Sequence, residues 1–237
     1  MELITPQYRT DYVGENINNM KDGETISYFI RPRENVFTKS NVDAAIVLGN
    51  GRTKDHKDVQ LLLKTNARKL AQGYKLVYAC NRAVHDETTY DYYVLKHRVF
   101  LANINANRLV TTYLPYDIFL DYKDNANLLP YVSHFHAGAS AAYLSCFDGH
   151  KRVFLMGFDG DTGRWQTAYD GIYPYSDGNG TIDYKIYMDH MTNVMRVYRN
   201  VEFYRLRLDG QTAPGDWRSL PNFRDVTMRE MVMLGDF

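Results

Sequence analysis

The sequence predicts an α/β protein with a Rossmann-like, mainly parallel sheet flanked by helices. Three observations carry this. Two short apolar runs, Ala44–Leu48 and Val153–Met156, have strand length and end in glycine. A helix-period stretch follows the first run and leads to another apolar run, making a β-loop-α-β unit. A short, mostly apolar segment, 138–147, with no charged residue precedes the second run, as a buried helix would. The 237 residues suffice for one large domain, and no linker, repeat or low-complexity tract divides them. One α/β domain is therefore expected over 1–237. Its core should span about 42–207, with an N-terminal extension at 1–41 and a tail at 208–237.

Taken in order, residues 1–40 are polar and mixed, with Ile26–Ile30 as an edge-strand candidate. Ala44–Leu48 is the first strong strand, and Gly49-Asn50-Gly51 follows it at once. A helix is expected from about Asp58 to Gln72. Val59, Leu62, Leu63, Ala67 and Leu70 share one face, and Lys64, Arg68 and Lys69 point away. Asp55 or Asp58 is the cap candidate, and Gly73 the stop. Lys75–Ala79 is the next strand, ended by Cys80-Asn81-Arg82. Helix is expected over Glu87–Arg98, and short strands at Leu109–Thr112 and Ile118–Leu120. Residues 138–147 form the apolar helix, Gly149 a turn, and Val153–Met156 the strand that places Asp159 just past its carboxyl end. A glycine- and tyrosine-rich segment, about 160–180, has the character of a lid. A last long helix carries Tyr184, Tyr187, Met188, Met191, Val194, Met195 and Tyr198 as a stripe, with His190 off it. Val201–Leu206 is the final strand. The tail holds Pro214, Trp217, Pro221 and a Met-rich helix, suited to packing on the core or on a second copy of the chain.

Composition narrows the function. Acids and bases number 28 each, so the net charge is zero and bulk nucleic-acid binding is disfavoured. No apolar run approaches the roughly 18 residues of a membrane span. The start, Met1 to Pro6, is not a signal peptide. Cys80 and Cys146 both lie in apolar elements and read as reduced, buried thiols, so a cytoplasmic protein is expected.

The candidate site lies where strand ends meet glycine. In open α/β sheets, ligands bind beyond the carboxyl ends of the strands. Gly49 and Gly51 let the backbone turn sharply and approach a ligand. Asn50 and Asn81, at two successive strand ends, can read a base or ribose, or can merely accept left-handed turns. A helix start at Gly138–Ser140 offers N–H groups to a phosphate. His134, His136 and Asp159 form a metal-ligand set on paper, but local hydrogen bonding is the stronger reading.

The ordered set Val47-Leu48-Gly49-Asn50-Gly51, Cys80-Asn81-Arg82 and Ala137-Gly138-(18 residues)-Gly157-Phe158-Asp159 resembles glycosyltransferase family 42, the bacterial sialyltransferases. It also resembles the wider group of 6-hydroxymethylpterin diphosphokinase-like proteins. The similarity runs in patches over about 44–206 and implies a GT-A-like variant of the fold. It also implies a nucleotide site in which Asn50, Asn81 and the backbone near Gly138 touch a cytidine nucleotide. The chain departs from the family pattern at three places. Ala137 replaces a serine, Asp161 and Thr167 stand at the spacing of two phosphate-binding tyrosines, and the histidine at the start of the last helix is missing.

The expectation is thus a glycosyltransferase-like transferase with a nucleotide or nucleotide-sugar donor, such as a CMP-sugar, and an unspecified acceptor. The nucleotide-binding candidates are Gly49, Asn50, Gly51, Asn81, Arg82, Gly138, Ser140, Tyr169 and Tyr173. Asp159, Asp183 and His190 are the candidates for catalysis. No cofactor is required on this reading. The alternatives are Mg²⁺-dependent diphosphate transfer from ATP, using Asp159 with Asp161, and a non-catalytic binding or structural module, such as a virion or surface-polymer component.

Overall fold

The computed structural model describes residues 15–21, 24–30, 43–69, 73–81, 90–96, 111–122, 126–129, 135–159, 184–208 and 210–237. Strands β1 (Glu15–Lys21) and β2 (Glu24–Ile30) pair antiparallel in a hairpin of their own. Ile26–Ile30 is thus a strand, but it is not an edge of the main sheet.

The main sheet contains, in chain order, β3 (Ala44–Leu48), β4 (Leu76–Cys80), β5 (Tyr92–Val94), β6 (Thr111–Leu114), β7 (Asn127–Leu128), β8 (Arg152–Met156), β9 (Glu202–Leu206) and β10 (Phe223–Val226). Their spatial order is β10-β9-β8-β3-β4-β5-β6-β7. All of these pairings are parallel. The chain builds outward from β3 to β7, then returns to lay β8, β9 and β10 on the other side of β3. The order therefore reverses between β3 and β8, which is the topological switch point of such a sheet.

Helices cover both faces. They are α1 (Lys57–Arg68), α2 (Tyr116–Tyr122), α3 (Ala137–Phe147), α4 (Tyr184–Val197), α5 (Gly215–Arg218) and α6 (Met228–Gly235). The period of two along β3 sorts its side chains between two cores. Ala45 and Val47 join Ala141, Leu144, Met191, Met195 and Trp217 from α3, α4 and α5. Ala44, Ile46 and Leu48 join Val59, Leu62, Ile118 and Met231 from α1, α2 and α6. Because β3 is covered on both faces it reads as an unbroken apolar run. From Ala139 to Phe147 every side chain of α3 is buried, which accounts for its lack of a polar face.

Three expectations are corrected. Residues Tyr92–Val94 form β5 and not part of a helix. Aromatic and β-branched residues suit a strand, and Tyr92 and Val94 enter one core while Tyr93 enters the other. Ile118–Leu120 lies in α2 rather than in a strand. Pro115 opens that helix, its carbonyl accepting from the N–H groups of Ile118 at 3.1 Å and Phe119 at 2.9 Å. The cap of α1 is His56, whose Nδ1 accepts from the Asp58 N–H at 3.4 Å, and neither aspartate takes that place. The tail does more than pack on the core: β10 extends the sheet beside β9, and Trp217 and Met231 are fully buried.

Candidate functional site

The loops after β3 and β8 are stitched together where the sheet reverses. The Gly49 N–H donates to Met156 O at 2.8 Å, and the Gly51 N–H to Gly157 O at 2.8 Å. The β3–β8 ladder thus continues past both strand ends. A Cβ at Gly49 would lie 2.4 Å from Gly157 O, and one at Gly51 2.6 Å from the Asp159 carboxyl. Gly157 itself has φ +76, a left-handed conformation that favours glycine. The sequence reading gave Gly49 and Gly51 to a ligand, whereas their bare Cα atoms receive the neighbouring loop.

Asp159 closes this junction from within. It is 2% exposed. Its Oδ2 accepts the Thr53 N–H at 2.7 Å, and its Oδ1 accepts the Thr53 hydroxyl. Thr53 lies in the 3₁₀ turn Arg52–Asp55, so the carboxylate satisfies a first-turn donor that the turn cannot satisfy itself. Burial pushes the Asp159 pKa up, while the two Thr53 bonds and the Arg205 charge pull it back. Arg205, fully buried on β9, donates from Nη1 to Phe158 O at 3.0 Å. Its other nitrogens pair with Asp225 of β10 at 2.6 and 3.2 Å. Asp159 sits at the predicted edge, but in a positioning geometry rather than one open to a hydroxyl.

Asn50 and Asn81 are brought to the same edge, since β3 and β4 pair with Leu48 opposite Ala79. Asn81 has φ +44 and is 5% exposed. Its Oδ1 accepts the Lys96 N–H at 3.1 Å, and its carbonyl accepts the Tyr93 hydroxyl. The left-handed-turn reading therefore describes Asn81. Asn50 is half-buried beyond β3. Arg82, Tyr169, Tyr173 and Asp183 lie outside the described residues, as do His134, Asp161 and the segment 160–180 expected to be a lid.

Helix α3 starts at the same edge, because a helix that leads into a parallel strand runs back along the sheet. His136 caps it with extended backbone, φ −64 and ψ 158. The His136 carbonyl accepts from the Ser140 N–H at 2.8 Å. Ser140 itself is fully buried, its hydroxyl donating to Phe135 O at 3.3 Å. This makes it a packing residue of the first turn. Gly138 is half-buried against the Phe158 ring, so α3 rests directly on the loop after β8.

Above that first turn is a ring cluster. The His136 ring stacks on Tyr187, with centroids 3.6 Å apart and planes at 19°. The His190 ring lies 4.9 Å from His136 and 5.4 Å from Phe135. His190 Nδ1 accepts the main-chain N–H of His136 at 3.2 Å. The Asp159 carboxylate faces Thr53 and the His136 ring stacks on Tyr187, while His134, the third member of the predicted set, lies outside the described residues. Among the described residues, no three His, Cys, Asp or Glu side chains are grouped to hold a metal ion.

The sequence reading missed Tyr187, Thr53 and the Arg205–Asp225 pair. Two of these were signalled. Tyr187 and His190 are three apart on α4, so His190, expected off the stripe, still stands beside Tyr187, and both rings meet His136. An arginine in the strand Val201–Leu206, on the mostly apolar stretch Phe203–Leu206, calls for a carboxylate partner if it is buried. Cys80 and Cys146 are buried thiols outside any disulfide, as expected. Among the described residues no helix is long and apolar enough to cross a membrane.

No protein-family model matches the chain, and no curated protein matches it significantly. Among solved structures it is similar to the monofunctional alpha-2,3-sialyltransferase Cst-I from Campylobacter jejuni. The identity is 11% and the TM-score 0.48, over 76% of this chain and 81% of that one. It is also similar to the sialyltransferase CstII from Campylobacter jejuni, solved with cytidine-5'-monophosphate, at 14% identity and a TM-score of 0.44 over 68% and 79% of the two chains.

Proposed function

We propose that this protein is a glycosyltransferase-like transferase that takes a nucleotide-linked donor, with a CMP-sugar as the first candidate. One observation supports the reading above all. The start of α3, the His136–His190 pair and the Gly49–Gly51 loop converge at the carboxyl edge, beside the point where the strand order reverses. Ligands of open α/β sheets bind at such a point. The first-turn N–H groups of α3 have no partners within the helix and suit a phosphate.

The roles divide as follows. Asn50, held between the two glycines that lock the loop onto β8, lines the nucleotide side, and Arg82 follows β4 there. The α3 backbone at Gly138 and the His190 ring hold the phosphate, with Tyr169 and Tyr173 of the lid as further donors. Asp159 keeps the two loops in register through Thr53. Asp183, the residue before α4, takes the proton of the acceptor hydroxyl. Diphosphate transfer through an Asp159–Asp161 magnesium pair fits less well, because both Asp159 oxygens already serve Thr53.

A thermal-shift screen with CMP, CDP, UDP, GDP and ATP, each with and without Mg²⁺, tests the reading. A ligand at about 100 times its dissociation constant stabilises the native state by roughly 2.7 kcal/mol. CMP is expected to shift the transition without metal, and Asp183→Asn to keep that shift while losing CMP-sugar turnover. A shift with ATP that needs Mg²⁺ replaces this reading with diphosphate transfer. No shift with any nucleotide overturns it in favour of a non-catalytic module.

A further inference from the structure

The place of the proton on His190 follows from the bond its ring accepts. Nδ1 lies 3.2 Å from the main-chain nitrogen of His136 and accepts that N–H. A ring nitrogen that accepts carries a lone pair, so the proton of the neutral imidazole is on the other nitrogen. We infer that His136 is a positioning residue whose main-chain N–H holds His190 as the Nε2–H tautomer, while its ring, stacked on Tyr187, keeps that N–H in place.

Three further contacts support this. The His136 carbonyl begins the α3 ladder by accepting from Ser140, so the residue that starts the helix also grips the ring. Tyr187 and His190 stand one turn apart on α4, and both rings meet His136, at 3.6 and 4.9 Å. Phe135 adds a second ring against His190 at 5.4 Å. The ring contacts restrict rotation, and a ring that cannot turn cannot exchange its two nitrogens.

What the Nε2–H group is used for rests on the transferase reading above. When the bond between sugar carbon and phosphate oxygen breaks, its electron pair goes to that oxygen. Nε2–H then donates a hydrogen bond to the oxygen and keeps its proton. The acceptor oxygen forms the new bond to the sugar carbon and its proton goes to a different group, Asp183 in that reading, so His190 is a donor and not the base.

Ring nitrogen chemical shifts of the ¹⁵N-histidine-labelled full chain test the inference at pH 8, where an imidazole of ordinary pKa, about 6.5, is neutral. His190 is expected to show Nδ1 as the lone-pair nitrogen and Nε2 as the protonated one. His136→Phe keeps the main-chain N–H and an aromatic ring, and should preserve that pattern. His136→Pro removes the N–H, and φ −64 lies within the range of proline. It should lower the ratio of Nε2–H to Nδ1–H forms about fivefold, the worth of one ordinary hydrogen bond. A wild-type spectrum with the proton on Nδ1, or with the two forms mixed, overturns the inference. So does a His136→Pro spectrum identical to wild type. If His136→Pro does not fold, the wild-type and His136→Phe spectra decide. The measurement needs no nucleotide, so its outcome is separate from that of the ligand screen.

Discussion

Gly49 and Gly51 matter here for the atom they lack. Their neighbours are main-chain atoms of a continuing ladder and a buried carboxylate, neither of which can move aside cheaply. Gly49→Ala is therefore expected to destabilise the protein by about 3 kcal/mol, the upper part of the range for overpacking. Urea denaturation checks this, and a loss within the error of wild type would contradict the stitched-loop geometry. Asp159 adds a pH signature at the same spot. Its pKa is raised, chiefly by burial, so its contribution to stability is fully present below the ordinary carboxyl value of about 3.9 and is lost as pH rises through the raised one. The stability of wild type relative to Asp159→Asn should fall over that interval. A difference that rises with pH would mean that the Thr53 bonds outweigh burial.

Among the elements, those set by local pattern were legible and those set by distant partners were not. Strand β3 is bounded by its own apolar run and by Gly49, so Ala44–Leu48 could be read directly. The carboxyl-edge position of Asp159 followed for the same reason. Strand β5 has only Tyr92–Val94, and what makes it a strand is the pair of neighbours on either side, β4 and β6. The ring cluster was illegible because it joins α3 to α4, whose contacting residues stand about fifty positions apart in the chain. Lys75, which precedes β4, shows how distant contacts set a local property. Its Nζ meets the carbonyls of Gly73 at 3.2 Å and Asp236 at 3.3 Å, and lies 4.4 Å over the Phe237 ring. Burial, with help from Lys69, pushes its pKa down to about 8 from 10.5. Between those two values the unfolded chain binds a proton that the native chain does not, so stability rises with pH. The rise should approach about 3 kcal/mol over the full window and vanish in Lys75→Met, as measured by urea denaturation at pH 7.5 and pH 10. An equal rise in both proteins would assign it to other groups.

Across the whole molecule, one buried ion pair ties the last part of the chain to the site. Arg205 stands directly opposite Asp225 in the β9–β10 register. Its guanidinium binds that carboxylate with two nitrogens and the Phe158 carbonyl with a third. Asp225 also accepts from the Ala213 N–H at 2.8 Å. The chain beyond residue 210 therefore both completes the sheet and braces the loop on which α3 rests. Removing either partner leaves a buried charge alone. Arg205→Met and Asp225→Leu are each expected to cost about 3–5 kcal/mol. Removing both leaves no unpaired charge, and the double variant should cost clearly less than the sum of the two, with a coupling of about 1–3 kcal/mol. It should not return to wild type, because the Phe158 carbonyl and the Ala213 N–H lose their partners. The double variant should also bind CMP more weakly than wild type, although neither residue lies among the proposed ligand contacts, because the loop after β8 loses its brace. Additive stability losses in the cycle would show that the pair is not a unit. Unchanged CMP affinity in the double variant would show that the brace does not reach the site.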